Sequence, residues 1–321
     1  MTEAIPLDQL RSLVRPVGAL TDARRLEGGW FATTYAVTLD DGTRVVVKCA
    51  PGPEKALLTH ERDLLRAEAL VYRLCAQHDE THDDGLFMPR VLHTDFTRAV
   101  VPVDVVVASF LPGVPWVDAG FGTPADDERA ARAQRDLGAL IGRLGHVTGE
   151  AFGYPLSPAL QAPAWADAFA LMVEALLADA VTWGVDVPAA RVRSALATHR
   201  AALDEVHVPR LVHTDLWPGN LFVDEAGALV GVIDPERAVF GDPLMDLAGA
   251  DPMWRGLDKR LVGGLDVRSS GARTRLALYR LWLALVMVIE VVPRRYEGDW
   301  LADHDHGNRT RVERALAELG A

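Results

Sequence analysis

Apolar and polar positions alternate most clearly between Thr34 and Ala50, in TYAVTLDDGTRVVVKCA. Strand-type residues flank Asp40-Asp41-Gly42, whose acidic residues and glycine suit a tight turn, so the stretch predicts a β-hairpin. From 54 to 77 the spacing becomes helical, with Leu57, Leu58, Leu64, Leu65, Ala69, Leu70, Tyr72 and Leu74 on one side. The polar run QHDETHDDG reads as a loop with acidic Glu80, Asp83 and Asp84, and Val91-Leu92 and AVVPVDVVVASF predict strands that close a small sheet.

The pattern changes at Leu111-Pro112-Gly113. Helical spacing then covers 126–149, 163–183, 188–206, 243–250, 272–292 and 308–319. Strand signals return only in short pieces, at Arg210–Val212, Leu221–Val223 and Leu229–Ile233. The expectation is an α+β, bilobal fold: a small β-rich lobe over 1–110, a larger helical lobe over 111–321, and a hinge near 108–113.

Composition agrees with two lobes, since 321 residues exceed one ordinary compact domain. Two cysteines, Cys49 and Cys75, cannot build a disulfide framework, so a reducing cytoplasm is expected. The start, MTEAIPLDQLRS, lacks the basic-then-apolar order of a signal peptide. In RLALYRLWLALVMVIEVV, Arg280 and Glu290 bracket nine uncharged residues, short of the ~20 of a membrane span, which predicts a buried helix and no membrane partner. A net charge of -12 opposes nucleic-acid binding and is compatible with cationic small molecules.

Candidate chemistry collects in HTDLWPGN and just beyond it: His213, Asp215, Asn220 and, ending the apolar run Leu229–Ile233, Asp234. A hard divalent cation such as Mg2+ takes one or two protein oxygens and fills its shell with phosphate and water, a demand that Asn220 and Asp234 meet. Asp215 is then left to receive a proton from a hydroxyl nucleophile.

This set resembles the kinase-like phosphotransferases, whose catalytic loop reads HxDxxxxN and whose metal-ligating Asp ends a strand some fourteen residues after the Asn. WPGN, VIDPERAVFGDP and the following Asp246-Leu247-Ala248 look like the aminoglycoside phosphotransferase and fructosamine kinase superfamily, a resemblance running from Leu26 to Val292. It implies ATP and Mg2+ in an interlobe cleft, with Lys48 of VVVK on the phosphates. Glu68 would hold Lys48, with Glu61 as the competing carboxylate. The phosphate loop would be EGGWFATT, with Gly28, Gly29 and Thr33, and Ser109, Phe110 and Leu111 would read the base. Asp246, with His213, would support the catalytic loop, and Asp242 would cap a helix. Thr214 with no following Lys, and the lack of DFG and APE, separate the chain from protein kinases.

The acceptor stays open at this stage. Trp217 is similar to fructosamine kinases and Pro218 to aminoglycoside kinases, whereas Thr214 stands where Gly is usual. Trp217, Glu236, Arg237, Asp299 and Asp303 are the candidate acceptor contacts, the last two within an acidic rim with Glu297 and Asp305. The run Asp303-His304-Asp305-His306 mimics a metal cluster, but consecutive residues do not converge on one ion. Glu290, buried by pattern, needs Arg237 or a substrate amine as partner, and Trp282 belongs to the core pattern. The expected activity is O-phosphorylation of a small, amine-bearing acceptor by a monomer or homodimer. A kinase of a non-amine small molecule, a catalytically silent nucleotide-binding module and a metal-dependent phosphohydrolase are the alternatives, distinguished by acceptor preference, by turnover and by its dependence on an acceptor.

Overall fold

Pairing across the predicted hairpin builds the first sheet. The computed structural model describes residues 5–26, 32–52, 56–82 and 85–321. In it β2 (Thr33–Leu39) and β3 (Arg44–Cys49) run antiparallel, with Thr34 opposite Lys48 and Val37 opposite Val45. Strands β1 (Leu20–Arg25), β4 (Val91–Asp95) and β5 (Val105–Ser109) complete a sheet in the order β1-β2-β3-β5-β4. The two-residue period sorts its faces: Val105 and Val107 pack with Leu10, Leu13 and Val14 of α1 (Leu7–Val14), whereas Val106 and Ala108 pack with Leu65 and Ala69 of α2 (Leu64–Thr81). Neither α1 nor β1 was foreseen, and β1 buries no residue fully, so it offers no apolar rhythm.

The predicted helix over 54–77 is corrected. Among its described residues the chain forms a 3-10 turn at Thr59–Glu61 and passes through Asp63 in the left-handed region (φ 59°); α2 then runs to Thr81, into the predicted loop. Tertiary contacts overrule the periodicity here. Leu58 joins the core of the helical lobe, and the Thr59 amide and hydroxyl donate to Asp179 at 2.8 and 2.7 Å. Residues 58–61 are thus a strap from the small lobe laid across the large one.

Beyond the hinge segment, β6 (Val114–Pro115) leads to α3 (Glu128–Leu144), β7 (Phe152–Gly153), β8 (Gln161–Ala162) and α4 (Trp165–Trp183). Next come α5 (Ala189–Thr198), α6 (Arg200–Leu203), β9 (Arg210–Val212), β10 (Leu221–Val223), β11 (Leu229–Val232) and β12 (Val239–Gly241). The chain ends with α7 (Leu244–Ala250), α8 (Lys259–Val262), α9 (Ser270–Ile289), α10 (Val291–Arg294) and α11 (Leu301–Glu318). Two small sheets, β11-β10-β6 and β8-β7-β12-β9, hold the segments around the catalytic motif. The predicted helix 188–206 breaks at His199, whose ring makes a 2.9 Å hydrogen bond with the Leu319 carbonyl. By length and composition 270–294 could cross a membrane, yet 78% of its most apolar window is buried, as expected for a core helix.

Candidate active site

Lys48 reaches the cleft from the end of β3. Its ammonium lies 2.6 Å from Glu68 Oε2, 2.7 Å from Asp234 Oδ1 and 3.5 Å from Glu236 Oε2. Of the two candidate carboxylates, the fold therefore brings Glu68 to Lys48. Glu61 is instead held by Arg294 and Arg237. Burial opposes the Lys48 charge, but Asp234, Glu68 and Glu236 outweigh it and hold the ammonium well above its usual range. Burial also pushes the Glu68 carboxyl up to about 7, against the pull of Lys48. Tyr72, one helical turn after Glu68, accepts the Asp234 amide at 3.3 Å, and burial with the nearby Glu68 and Asp234 charges holds its phenol well above the usual range. Tyr72 entered the sequence reading only as an apolar helix position; its i,i+4 spacing from Glu68 was the available signal.

The catalytic motif is pinned from several sides. His213 is 1% exposed; its Nε2 lies 2.9 Å from the Ile233 carbonyl and its Nδ1 accepts the Asp215 amide at 3.3 Å. That pattern suits a neutral ring, and burial pushes its pKa down to about 4. Thr214 sits at φ 70°, which explains why Gly is usual at this position. The Thr214 amide donates to Asp246 Oδ1 at 2.8 Å, and Asp246 is fully buried. Asn220 Nδ2 donates to the Asp215 carbonyl and to Asp215 Oδ2, both at 2.9 Å, so the loop closes on itself. Burial pushes the Asp215 carboxyl up to about 6; Arg237 counteracts it, while Asp234, Glu236 and Glu290 reinforce it. Asp234 occupies a left-handed conformation (φ 62°), and its side chain remains 38% exposed towards solvent. Asp242, expected as a helix cap, lies one residue before the N-cap Pro243 of α7, which is a correction; its Oδ1 accepts the Leu244 amide at 3.1 Å, and its Oδ2 accepts from Tyr279 and Arg275 at 2.8 Å each.

The other predicted residues fall in varied settings. Gly28 and Gly29 lie outside the described residues. Thr33 is 3% exposed, with no partner for its hydroxyl among the described residues. In the hinge segment the Ser109 amide donates to Arg90 and the Phe110 amide to Arg44, while Leu111 packs against Gly231. Trp217 is 42% exposed, and its ring lies so close to Gly219 that a Cβ there would clash with it. Glu236 turns towards Lys48, and Arg237 donates to Glu290 at 2.7 Å, the protein partner anticipated for that buried acid.

Asp299 and Asp303 are exposed, and no hydrogen bond or ion pair among the described residues joins either to the catalytic loop. The run Asp303–His306 lies within α11, whose start at Leu301 rather than 308 is a further correction. Helical spacing spreads these side chains around the axis: His304 contacts the Met287 carbonyl, and Asp305 pairs with Arg309 at 2.8 Å. Trp282 is buried, as its pattern implied.

A small antiparallel lobe over a helical one, a lysine–carboxylate pair and a loop carrying Asp and Asn define a kinase-like phosphotransferase, an enzyme of the small-molecule kinase class. The profile of the phosphotransferase enzyme family matches residues 22–279, and the chain belongs to that family. No curated protein matches it in sequence. Among solved structures it is similar to a thermostable mutant of aminoglycoside phosphotransferase APH(4)-Ia in ternary complex with AMP-PNP and hygromycin B. The TM-score is 0.65 and the identity 18%, covering 97% of this chain and 98% of that one. It is also similar to a protein assigned as a fructosamine-3-kinase from Thermobifida fusca YX-ER1 (TM-score 0.68, 20% identity, 96% and 100% covered). A third is the macrolide 2'-phosphotransferase MphH from Brachybacterium faecium (TM-score 0.55, 19% identity, 95% and 98% covered). At these identities the likeness is one of fold.

Proposed function

We propose that the chain uses ATP and Mg2+ to phosphorylate a hydroxyl of a small, amine-bearing acceptor. The observation that carries this reading is the donor set around Asp215. Asn220 commits its Nδ2 to Asp215, so its Oδ1 and the part-exposed Asp234 carboxylate are the oxygen donors that suit a hard cation. Mg2+, when bound, supplies neutralisation of the charge that builds on the phosphates.

Asp215 orients the acceptor hydroxyl and takes its proton. The acceptor oxygen then bonds to the γ-phosphorus as the bond to the ADP oxygen breaks. Lys48 lies against the phosphates, and Glu68, 2.6 Å from its ammonium, keeps Lys48 from swinging away. With the Ser109 and Phe110 amides engaged, Leu111 is the hinge residue we assign to the base. Thr33, with Gly28 and Gly29, is assigned to the phosphate loop, and Trp217 to the acceptor. Most of the acceleration comes from positioning and electrostatics.

Support also comes from the similar structures, whose names pair this fold with AMP-PNP, hygromycin B, a fructosamine and a macrolide. We assign 1–110 to nucleotide binding, 111–321 to catalysis and acceptor binding, and the cytoplasm as location. Two buried free thiols fit a reducing compartment: burial pushes Cys49 up to about 12 and Cys75 in the same direction.

The test is ADP release with Mg2+ and ATP over aminoglycosides, amino sugars, fructosamines, choline and neutral nucleosides, with Asp215→Asn as the blank. Turnover confined to amine-bearing acceptors is expected. ATP bound without turnover on any of them would move the reading to a silent nucleotide-binding module.

A further inference from the structure

Four charged side chains close a ring beside the catalytic loop. Glu61, from the strap, lies 3.4 Å from Arg237, and Arg237 lies 2.7 Å from Glu290. Glu290 lies 3.7 Å from Arg294, which returns to Glu61. The side chains are 0 to 13% exposed, the signs alternate, and the ring carries no net charge. Glu61 Oε2 also accepts the Leu58 amide at 2.9 Å, and Arg294 donates to the Tyr296 hydroxyl at 2.9 Å. Three distant stretches meet here: the small-lobe strap, the segment following Asp234, and the α9–α10 junction.

The ring bears on the catalytic loop through the backbone of Arg237. The Arg237 carbonyl accepts the Thr214 hydroxyl at 3.2 Å, next to a backbone that a β-branched residue keeps only under restraint. Held by two carboxylates, Arg237 is poorly placed to leave for a substrate.

We propose that Arg237 is a positioning residue for Asp215, and that Glu61 of the small lobe, together with Glu290, holds it in place. The small lobe then reaches past the nucleotide to set the catalytic loop of the large one. This rests on the phosphotransfer reading and reassigns Arg237 from acceptor contact to support.

The test compares Arg237→Met, Arg237→Lys, Glu61→Gln and the Glu61→Gln/Arg237→Met pair. Turnover is followed by ADP release with Mg·ATP and the acceptor found by the panel, or with water if none is found. Hydrogen exchange of the 212–218 backbone supplies a readout independent of turnover. Arg237→Met is expected to lower kcat about a hundredfold, with KM for ATP and acceptor within about twofold. Glu61→Gln should lower kcat about tenfold, Arg237→Lys should recover part of the loss, and the pair should be no worse than Arg237→Met alone. Amides around Thr214 should exchange faster in Arg237→Met and Glu61→Gln.

A rise in acceptor KM at unchanged kcat would make Arg237 a substrate contact, and multiplying losses would make the two residues independent. Unchanged exchange at 212–218 would overturn the proposal on its own. If Asp215→Asn turns over like wild type, the phosphotransfer reading fails, while the exchange experiment still decides the role of the ring.

Discussion

Asp215 and Asp303 are acids assigned to one reaction, and the fold treats them differently. Asp215 is half-buried, its carboxylate takes a hydrogen bond from Asn220, and its amide rests on the buried ring of His213. Asp303 stands exposed in the first turn of α11. The same contrast separates Lys48, enclosed by three carboxylates, from Trp217, 42% exposed above the glycine of its own loop. The groups we assign to the phosphate chemistry are fixed by the fold, as expected where small displacements are costly. Trp217 and Asp303, read as acceptor contacts, stand exposed, so the fold leaves them free to differ.

The sharpest way to break this contrast is at its buried end. Asp215→Ala should reduce transfer by about 10²- to 10⁴-fold with ATP affinity retained, measured by ADP release and nucleotide titration. Equal losses in ATP binding would mean that Asp215 shapes the nucleotide site. Next, Lys48→Ala should destabilise the protein by about 3–5 kcal/mol, because Glu68 is left buried without its cation. A denaturant midpoint close to wild type would show that Glu68 is readily neutralised.

Trp217→Ala should raise acceptor KM about three- to tenfold and leave KM for ATP unchanged, as expected for a lost ring face. A matching rise for ATP would place the ring at the nucleotide. Asp303→Asn belongs at the small end: within about 0.5 kcal/mol in stability, with a salt-sensitive KM effect confined to cationic acceptors. An equal effect on neutral acceptors would remove its electrostatic role.

A pH experiment sharpens the same contrast. Burial pushes Asp246 up to about 7, whereas an unfolded Asp titrates near 3.8. The fold therefore favours the neutral acid, and its contribution is complete below the unfolded value and lost as pH rises through about 7. Asp246→Asn cannot ionise, yet it keeps an acceptor for the Thr214 amide. Its stability relative to wild type should improve from about pH 4.5 to about pH 7.5, measured by urea unfolding. A constant difference would show that Asp246 does not titrate over that range.

Legibility follows the contrast as well. Asp215, Asn220 and Asp234 stand out because a short loop and a strand end fix their spacing, and Lys48 because the hairpin pattern around it is regular. Glu68 was read correctly as the partner of Lys48, but the different course of the chain at Glu61 was not legible, since both lie on one helical period. A hydrogen bond to Asp179, 120 residues away, decides against the helix that would have linked them. β1 was invisible because none of its residues is fully buried, and α11 was read short because its polar first turns hide its reach. Arg294 drew no notice because its role depends on Glu61, which is remote in sequence.

The burial of α9 has a consequence for how the chain is made. Residues 270–294 are apolar enough to be mistaken for a membrane segment, and α11, which packs along α9, is synthesised after it. Until α11 has left the ribosome, the nascent chain displays a greasy rod without its final cover. Loss of the last helix would therefore first appear as insoluble or membrane-associated protein during expression, before any defect in catalysis could be assayed.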